Sequence, residues 1–219
     1  KKSIWIGMGM TEKQGGSDVR ANETFAIPIN ESGRGQAYLL TGHKWFFSAP
    51  MCDAHLVVAK TEQDGLACFF VPRWLEDGTK NNIHIQRLKD KVGNKSNSSS
   101  EVEFKDAWGI MIGEAGRGIP TIIEMANYTR LTCVVGSSAM QRQALVQCLS
   151  YTRQRKAFGH LLAEQPLMQA VLTDLALETE ASVQLSFHLA HCYENNDELC
   201  LAWKRIMTPA AKFWVCKRT

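Results

Sequence analysis

The chain has 219 residues, 45% of them hydrophobic, enough to bury a core and to hold one large domain or two small ones. Its 25 basic and 22 acidic residues leave a formal charge of +3, too balanced to mark a nucleic-acid or membrane binder without a local patch. Seven cysteines, an odd number without CxxC spacing and mostly set in apolar runs, argue against a disulfide framework or a zinc site and for reduced thiols in a soluble, intracellular protein.

In chain order, Lys1 to Ile6 does not make a signal peptide, and the run Trp5-Ile6-Gly7-Met8-Gly9-Met10 reads as the interior of an element. From Phe25 to Ala107 the pattern is short strands between turn residues: Phe25–Ile29, Tyr38–Phe47, His55–Lys60, Leu66–Val71, Ile83–Leu88 and Glu101–Phe104. Continuous apolar stretches such as Leu56-Val57-Val58 and Cys68-Phe69-Phe70-Val71 suit strands in the core of a small barrel. Ser96 to Ser100 reads as a tight loop between strands.

After the turn Gly113-Glu114-Ala115-Gly116-Arg117-Gly118 the spacing of apolar residues changes to three and four, which predicts a helix from about Pro120 to Arg155. Met168, Val171, Leu172, Leu175 and Ala176 mark a second helix, and Trp203, Ile206, Met207, Ala210 and Ala211 a third, which Pro209 should kink or break. The expected division is a β domain over 1–112 and a helical domain over 113–219. No apolar run approaches the roughly 20 residues a membrane span requires. Phe213 to Thr219 stops without a Gly or Pro signal, so both ends are expected to be cuts in a longer protein.

Three clusters carry chemistry. In Gly9-Met10-Thr11-Glu12-Lys13-Gln14-Gly15-Gly16-Ser17-Asp18, glycines beside hydroxyl and carboxylate groups let backbone N–H groups approach a phosphate or a cofactor carbonyl, although an ordinary turn has the same composition. In Thr41-Gly42-His43-Lys44-Trp45-Phe46-Phe47-Ser48, strand alternation puts Phe46 and Ser48 on one face and Trp45 and Phe47 on the other, so that one face offers an aromatic wall and a hydroxyl; core packing is the competing use. In Arg153-Gln154-Arg155-Lys156-Ala157-Phe158-Gly159, followed by Gln165-Pro166, the cations either complement a helix end or grip a pyrophosphate.

Together these stretches resemble the acyl-CoA dehydrogenase family. Thr11, Glu12, Gly16, Ser17 and Asp18 match the Thr-Glu-x-x-x-Gly-Ser-Asp motif of its middle β domain, with Lys13 where most members have Pro. Gly42 to Ser48 resembles the strand that ends beside the isoalloxazine ring, with Phe46 in place of Trp and Ser48 in place of Thr. Val102 to Ala107 resembles the later Val-x-Phe-x-Asp-Val, and Arg155 to Gly159 the Arg-x-x-Phe-Gly signature, with Gln165 as the glutamine that follows.

The resemblance covers nearly the whole chain. It implies an α+β multidomain fold, a middle β-barrel followed by a helical bundle, lacking the N-terminal helical domain and the last bundle helices. It implies FAD as cofactor, contacted by Met10, Thr11, Gly16, Ser17, Phe46, Phe47 and Ser48, and by Arg155, Phe158 and Gln165 across subunits of a homotetramer. Ser17 and Arg130 are implied as contacts to an acyl-CoA substrate.

The wording around Lys13, Arg87 to Asn94 and Thr208 to Phe213 is closest to a bacterial adaptive-response branch linked to protection of DNA from alkylation, which implies possible DNA binding through a C-terminal region absent here. The compartment implied is cytoplasmic in a bacterium, mitochondrial or cytoplasmic in a eukaryote. No metal ligand and no catalytic residue is assigned. The family base lies beyond Thr219 or, in a minority, at the position of Thr129, and Glu124 matches neither. A weakly active flavoprotein that sequesters acyl-CoA or binds DNA is the alternative, although the basic run Arg87, Lys89, Lys91 and Lys95 reads more simply as a solvated strand edge.

Overall fold

A computed structural model describes residues 3–63 and 65–219, so Lys1 and Lys2 of the expected β domain lie outside the described residues. The strands are β1 (Ile6–Gly9), β2 (Phe25–Pro28), β3 (Ala37–Ser48), β4 (Ala54–Thr61), β5 (Gly65–Pro72), β6 (Ile83–Leu88) and β7 (Ser99–Ile112). They form one sheet in the order β1-β3-β2-β4-β5-β7-β6, and the pairing of β3 with β7 turns it back on itself as a barrel. Alternate residues of its strands fill the interior: Tyr38, Leu40, Phe47, Val57, Phe69, Val71, Val102, Phe104 and Met111 are buried in one cluster. Tyr38 and Phe69 meet edge to face at 5.0 Å there.

The last strand is longer than the pattern of apolar residues predicts. Asp106 sits at φ +57, a conformation that reads as a turn, but it is a bulge inside β7: Leu40 pairs with Ala107 and Gly42 with Phe104, so β7 carries one extra residue. The Thr41 hydroxyl donates to the Asp106 carboxylate at 2.8 Å and fastens the bulge. Opposite it, Gly42 has φ +144, and a Cβ there would come within 2.6 Å of the Thr24 backbone, so only glycine fits. The serine stretch divides, with Ser99 and Ser100 beginning β7 and the loop ending at Ser98.

Three helices follow: α1 (Gly118–Thr152), α2 (Pro166–Glu194) and α3 (Glu198–Arg218). Proline opens α2, where its missing N–H costs nothing, and the Asp197 carboxylate caps α3 by accepting from the Cys200 N–H at 3.0 Å. Of the expected kink or break at Pro209, the break does not occur: α3 runs through it, and Thr208 beside it donates its hydroxyl to the Lys204 carbonyl at 2.6 Å.

The chain divides into two compact units after Glu124, inside α1. The first turns of α1 belong to the barrel because Ile122 is fully buried against Val58 and Cys68, and a Cβ on Gly118 would strike the Ala67 backbone at 2.5 Å. In the helical unit Val134, Leu189, Ala211 and Val215 make the core, with Ser137, Ser138, Ser182, Ser186 and Thr208 also buried. All seven cysteines carry free thiols, and no helix among the described residues is long and apolar enough to cross a membrane.

Candidate functional site

The end of β1 and the loop after it lie against the end of β3. Gly9 pairs with Phe47, and the Trp45 N–H donates to the Thr11 carbonyl at 2.8 Å, so the first two clusters of the sequence form one surface. A buried ion pair organises it: the Lys44 ammonium contacts the Glu12 carboxylate at 2.6 Å with both side chains fully buried. Glu12 also accepts from the backbone N–H groups of Glu23 (2.6 Å) and Thr24 (3.1 Å). Around it, the Asn22 amide donates to the Met10 carbonyl, the Thr24 hydroxyl to the His43 carbonyl, and the Lys13 N–H to His43 Nε2.

Burial raises the Glu12 carboxyl, but the Lys44 charge and the hydrogen bonds from Lys44, Thr24 and Glu23 outweigh it, and the net shift is downward. Burial pushes the Lys44 ammonium down to about 8 against the attraction of Glu12. The pair is what the motif reading left out: its Glu was noted only as a motif letter, and a lysine between Gly42-His43 and three aromatics gives no sign of being buried.

Its cause is a second bulge. Lys44 pairs with Val102 and Phe47 with Ser100, so β3 carries an extra residue between them, and Lys44 and Phe47 both enter the interior. The expected grouping of Trp45 with Phe47 is therefore corrected, while Phe46 and Ser48 still flank the buried Phe47 on the other side. Phe47 belongs to the core, stacked on His55 at 4.0 Å and edge-on to Phe104 at 5.8 Å, and its side chain is not available to a cofactor. Trp45 and Phe46 instead share one cation: Lys89 Nζ lies 3.8 Å from the Trp45 ring centre and 4.4 Å from that of Phe46.

Phe46 is 47% exposed, and Thr11 and Ser48 are half-buried beside the same strand end. Among the described residues the hydroxyls of Thr11, Ser17 and Ser48 have no hydrogen-bond partner within the protein. Gly16 keeps the loop open, since a Cβ there would come within 3.1 Å of Thr11 Oγ1. Unused hydroxyls, an exposed aromatic face and a glycine that leaves room beside them are a donor set that fits a planar, polar-edged ring system such as a flavin. The Met10 side chain packs partly into the cluster of Val58, Cys68 and Ile122.

The third cluster assembles in the helical unit. It lies beyond the end of α1, where β8 (Lys156–Ala157) and β9 (His160–Leu161) form a hairpin whose tip is Phe158 and Gly159. Both tip residues have positive φ, +51 and +81, as a type I′ turn requires. For Phe158 that conformation is strained, and its ring is 95% exposed. Gln165 closes the base of the hairpin by donating to the Ala157 carbonyl at 3.1 Å, while the exposed Arg155 guanidinium forms no ion pair among the described residues. Arg130 stands apart from these on α1, its guanidinium held by Asn127 at 2.9 Å, and Thr129 and Glu124 are exposed. Among the described residues there is no cluster of His, Cys, Asp and Glu that could hold a metal.

This fold and these motifs are those of one protein family. Residues 7–107 match the family model of the acyl-CoA dehydrogenase middle domain and residues 116–219 that of the acyl-CoA dehydrogenase C-terminal domain, and the chain belongs to the acyl-CoA dehydrogenase family. Over all 219 residues it is 50% identical to AidB of Escherichia coli strain K12, spanning 40% of that protein. It is 31% identical to acyl-CoA dehydrogenase family member 11 of Caenorhabditis elegans, over 99% of this chain and 37% of that one. The crystal structure of the C. elegans protein ACDH-11 in complex with C11-CoA superposes with a TM-score of 0.84 at 30% identity, covering 99% of this chain and 38% of that one. Butyryl-CoA dehydrogenase of Megasphaera elsdenii, at 23% identity and a TM-score of 0.77, shares the fold. The chain thus spans about two fifths of the length of the relatives it matches best among these.

Proposed function

We propose that the protein carrying this chain is an FAD-dependent acyl-CoA dehydrogenase that oxidises the α,β carbon–carbon bond of an acyl-CoA thioester. The observation that carries this reading is the joined surface of β1 and β3, where exposed Phe46 stands beside the unused hydroxyls of Thr11 and Ser48. FAD, when bound, supplies the hydride acceptor. The residues of this chain bind and orient: Phe46 offers a wall to the ring, Thr11 and Ser48 donate to its polar edge, and Ser17, Gly16 and the backbone at Met10 border its phosphates and carbonyls. The bulged strand and the Glu12–Lys44 pair hold these groups in register.

In the helical unit, Arg155, Phe158 and Gln165 form a ready contact for a pyrophosphate. We assign it to the FAD of a neighbouring subunit in a homotetramer. Arg130 and Ser17 are assigned to the acyl-CoA substrate. No residue of this chain is assigned as the base that takes the α proton.

The test is the visible absorbance spectrum of the full protein under anaerobic conditions with a panel of acyl-CoA thioesters. Flavin bands that bleach with one chain length support the dehydrogenase and name its substrate. Bands that shift without bleaching support a flavoprotein that binds acyl-CoA without turnover. Absence of flavin bands after reconstitution with FAD overturns both.

A further inference from the structure

Lys89 follows directly on β6 and has an unusual setting for a surface-strand lysine. Its side chain is only 10% exposed, its ammonium donates to the Glu101 carboxylate at 2.9 Å, and it lies over the rings of both Trp45 and Phe46. Arg87 binds the same Glu101 oxygen at 2.8 Å, so two cations share one carboxylate. Arg87 and Lys13 both also approach the Trp45 ring at 5.9 Å. Positive charge is therefore concentrated, and only partly compensated, behind the aromatic pair that the β3 bulge turns outward. A lysine serving only solubility would extend into water; this one is held by a carboxylate and two ring faces.

We propose that Lys89 is an electrostatic tuning residue for the cofactor: a fixed ammonium behind the Phe46 wall that favours the reduced, more negative state of a flavin laid against that wall. The inference rests on the assignment of Phe46 to the flavin. Uptake of two electrons and one proton adds one negative charge to the ring system. A cation held nearby in a partly dehydrated setting lowers the free energy of that charge relative to the oxidised ring. Glu101 fixes the position of the ammonium, and Arg87 offsets the charge of Glu101, leaving Lys89 able to act on the ring.

The experiment is a dye-equilibrium titration of the FAD-loaded full protein, comparing wild type with Lys89→Met, Lys89→Arg and Phe46→Ala, alongside FAD affinity measured by fluorescence on the apoprotein. In Lys89→Met, the ratio of reduced to oxidised flavin at a fixed solution potential is expected to fall roughly five-fold. Lys89→Arg is expected to restore it, and the affinity for oxidised FAD should change little. If Phe46→Ala weakens FAD binding while Lys89→Met leaves the ratio unchanged, the tuning role is overturned and the flavin site stands. If Phe46→Ala leaves both FAD affinity and the ratio unaltered, the wall assignment itself is wrong, and the tuning role falls with it.

Discussion

The two units are built on different terms. The barrel has a continuous apolar interior to which nearly every strand contributes, and a fully buried ion pair, Glu12 with Lys44, lies under the loop that carries Thr11 to Ser17. The helical unit has a small apolar core threaded with serine and threonine hydroxyls: Ser186 donates to Ser138 at 3.1 Å, Tyr193 reaches the Asn127 carbonyl at 3.2 Å, and Ser137 donates to Cys216 Sγ at 3.3 Å. It also leaves Leu167, Phe187, Leu199, Ile206 and Phe213 exposed. One unit positions its candidate cofactor groups by its own packing. The other displays them on a hairpin tip and shows apolar faces of the kind that mark interaction surfaces.

The largest effect that would sharpen this contrast is expected at the ion pair. Lys44→Met strands a buried carboxylate and should cost about 3–5 kcal/mol in urea unfolding, whereas the double variant Glu12→Gln with Lys44→Met should recover much of it. A double variant as unstable as the single one would mean that the loss comes from packing, not charge. Truncations in the two cores come next. Phe69→Ala should cost about 3–5 kcal/mol and Leu189→Ala about 2–4 kcal/mol. A loss below about 1 kcal/mol at either position would remove that residue from its core.

A pH titration separates the units further. Burial, with a smaller contribution from the Arg73 charge, pushes His55 down to about 4 in spite of its hydrogen bond to the Ala49 carbonyl. The folded state therefore binds fewer protons than the unfolded state between pH 6.5 and about 4. The stability that His55 contributes is complete above 6.5 and is lost on acidification through that window, by on the order of 3 kcal/mol. The lowered Glu12 carboxyl adds to the loss below about pH 4.5. Replacing His55 by Gln should flatten the first part of the curve; an unchanged slope would remove His55 as its source. The smallest expected effect is on ligand alone. Arg155→Gln should weaken FAD retention by roughly ten-fold or more without altering the melting of the apoprotein. Loss of apoprotein stability instead would assign Arg155 to the fold.

The amino-acid sequence alone determined the order of β2 to β7 and of the three helices, the change of period after Gly113, and the residue types of the three clusters, because each is written in local spacing and turn chemistry; β1 and the β8–β9 hairpin are too short to show a period of their own. It also determined that Met10 to Ser17 and Trp45 to Ser48 carry a family motif. Only the tertiary structure decided which faces those residues use. Strict alternation puts Phe47 on the same face as Trp45, but the bulge between Lys44 and Phe47 adds one residue against β7, which separates them, buries Phe47 in the core and leaves Trp45 and Phe46 together under Lys89. Likewise Asp106 signals a turn locally, yet pairing with β3 carries β7 through it. Bulges are set by what the neighbouring strand must bury, Val102 and Phe104 here, and that information is distributed over residues sixty positions apart and not contained in either segment.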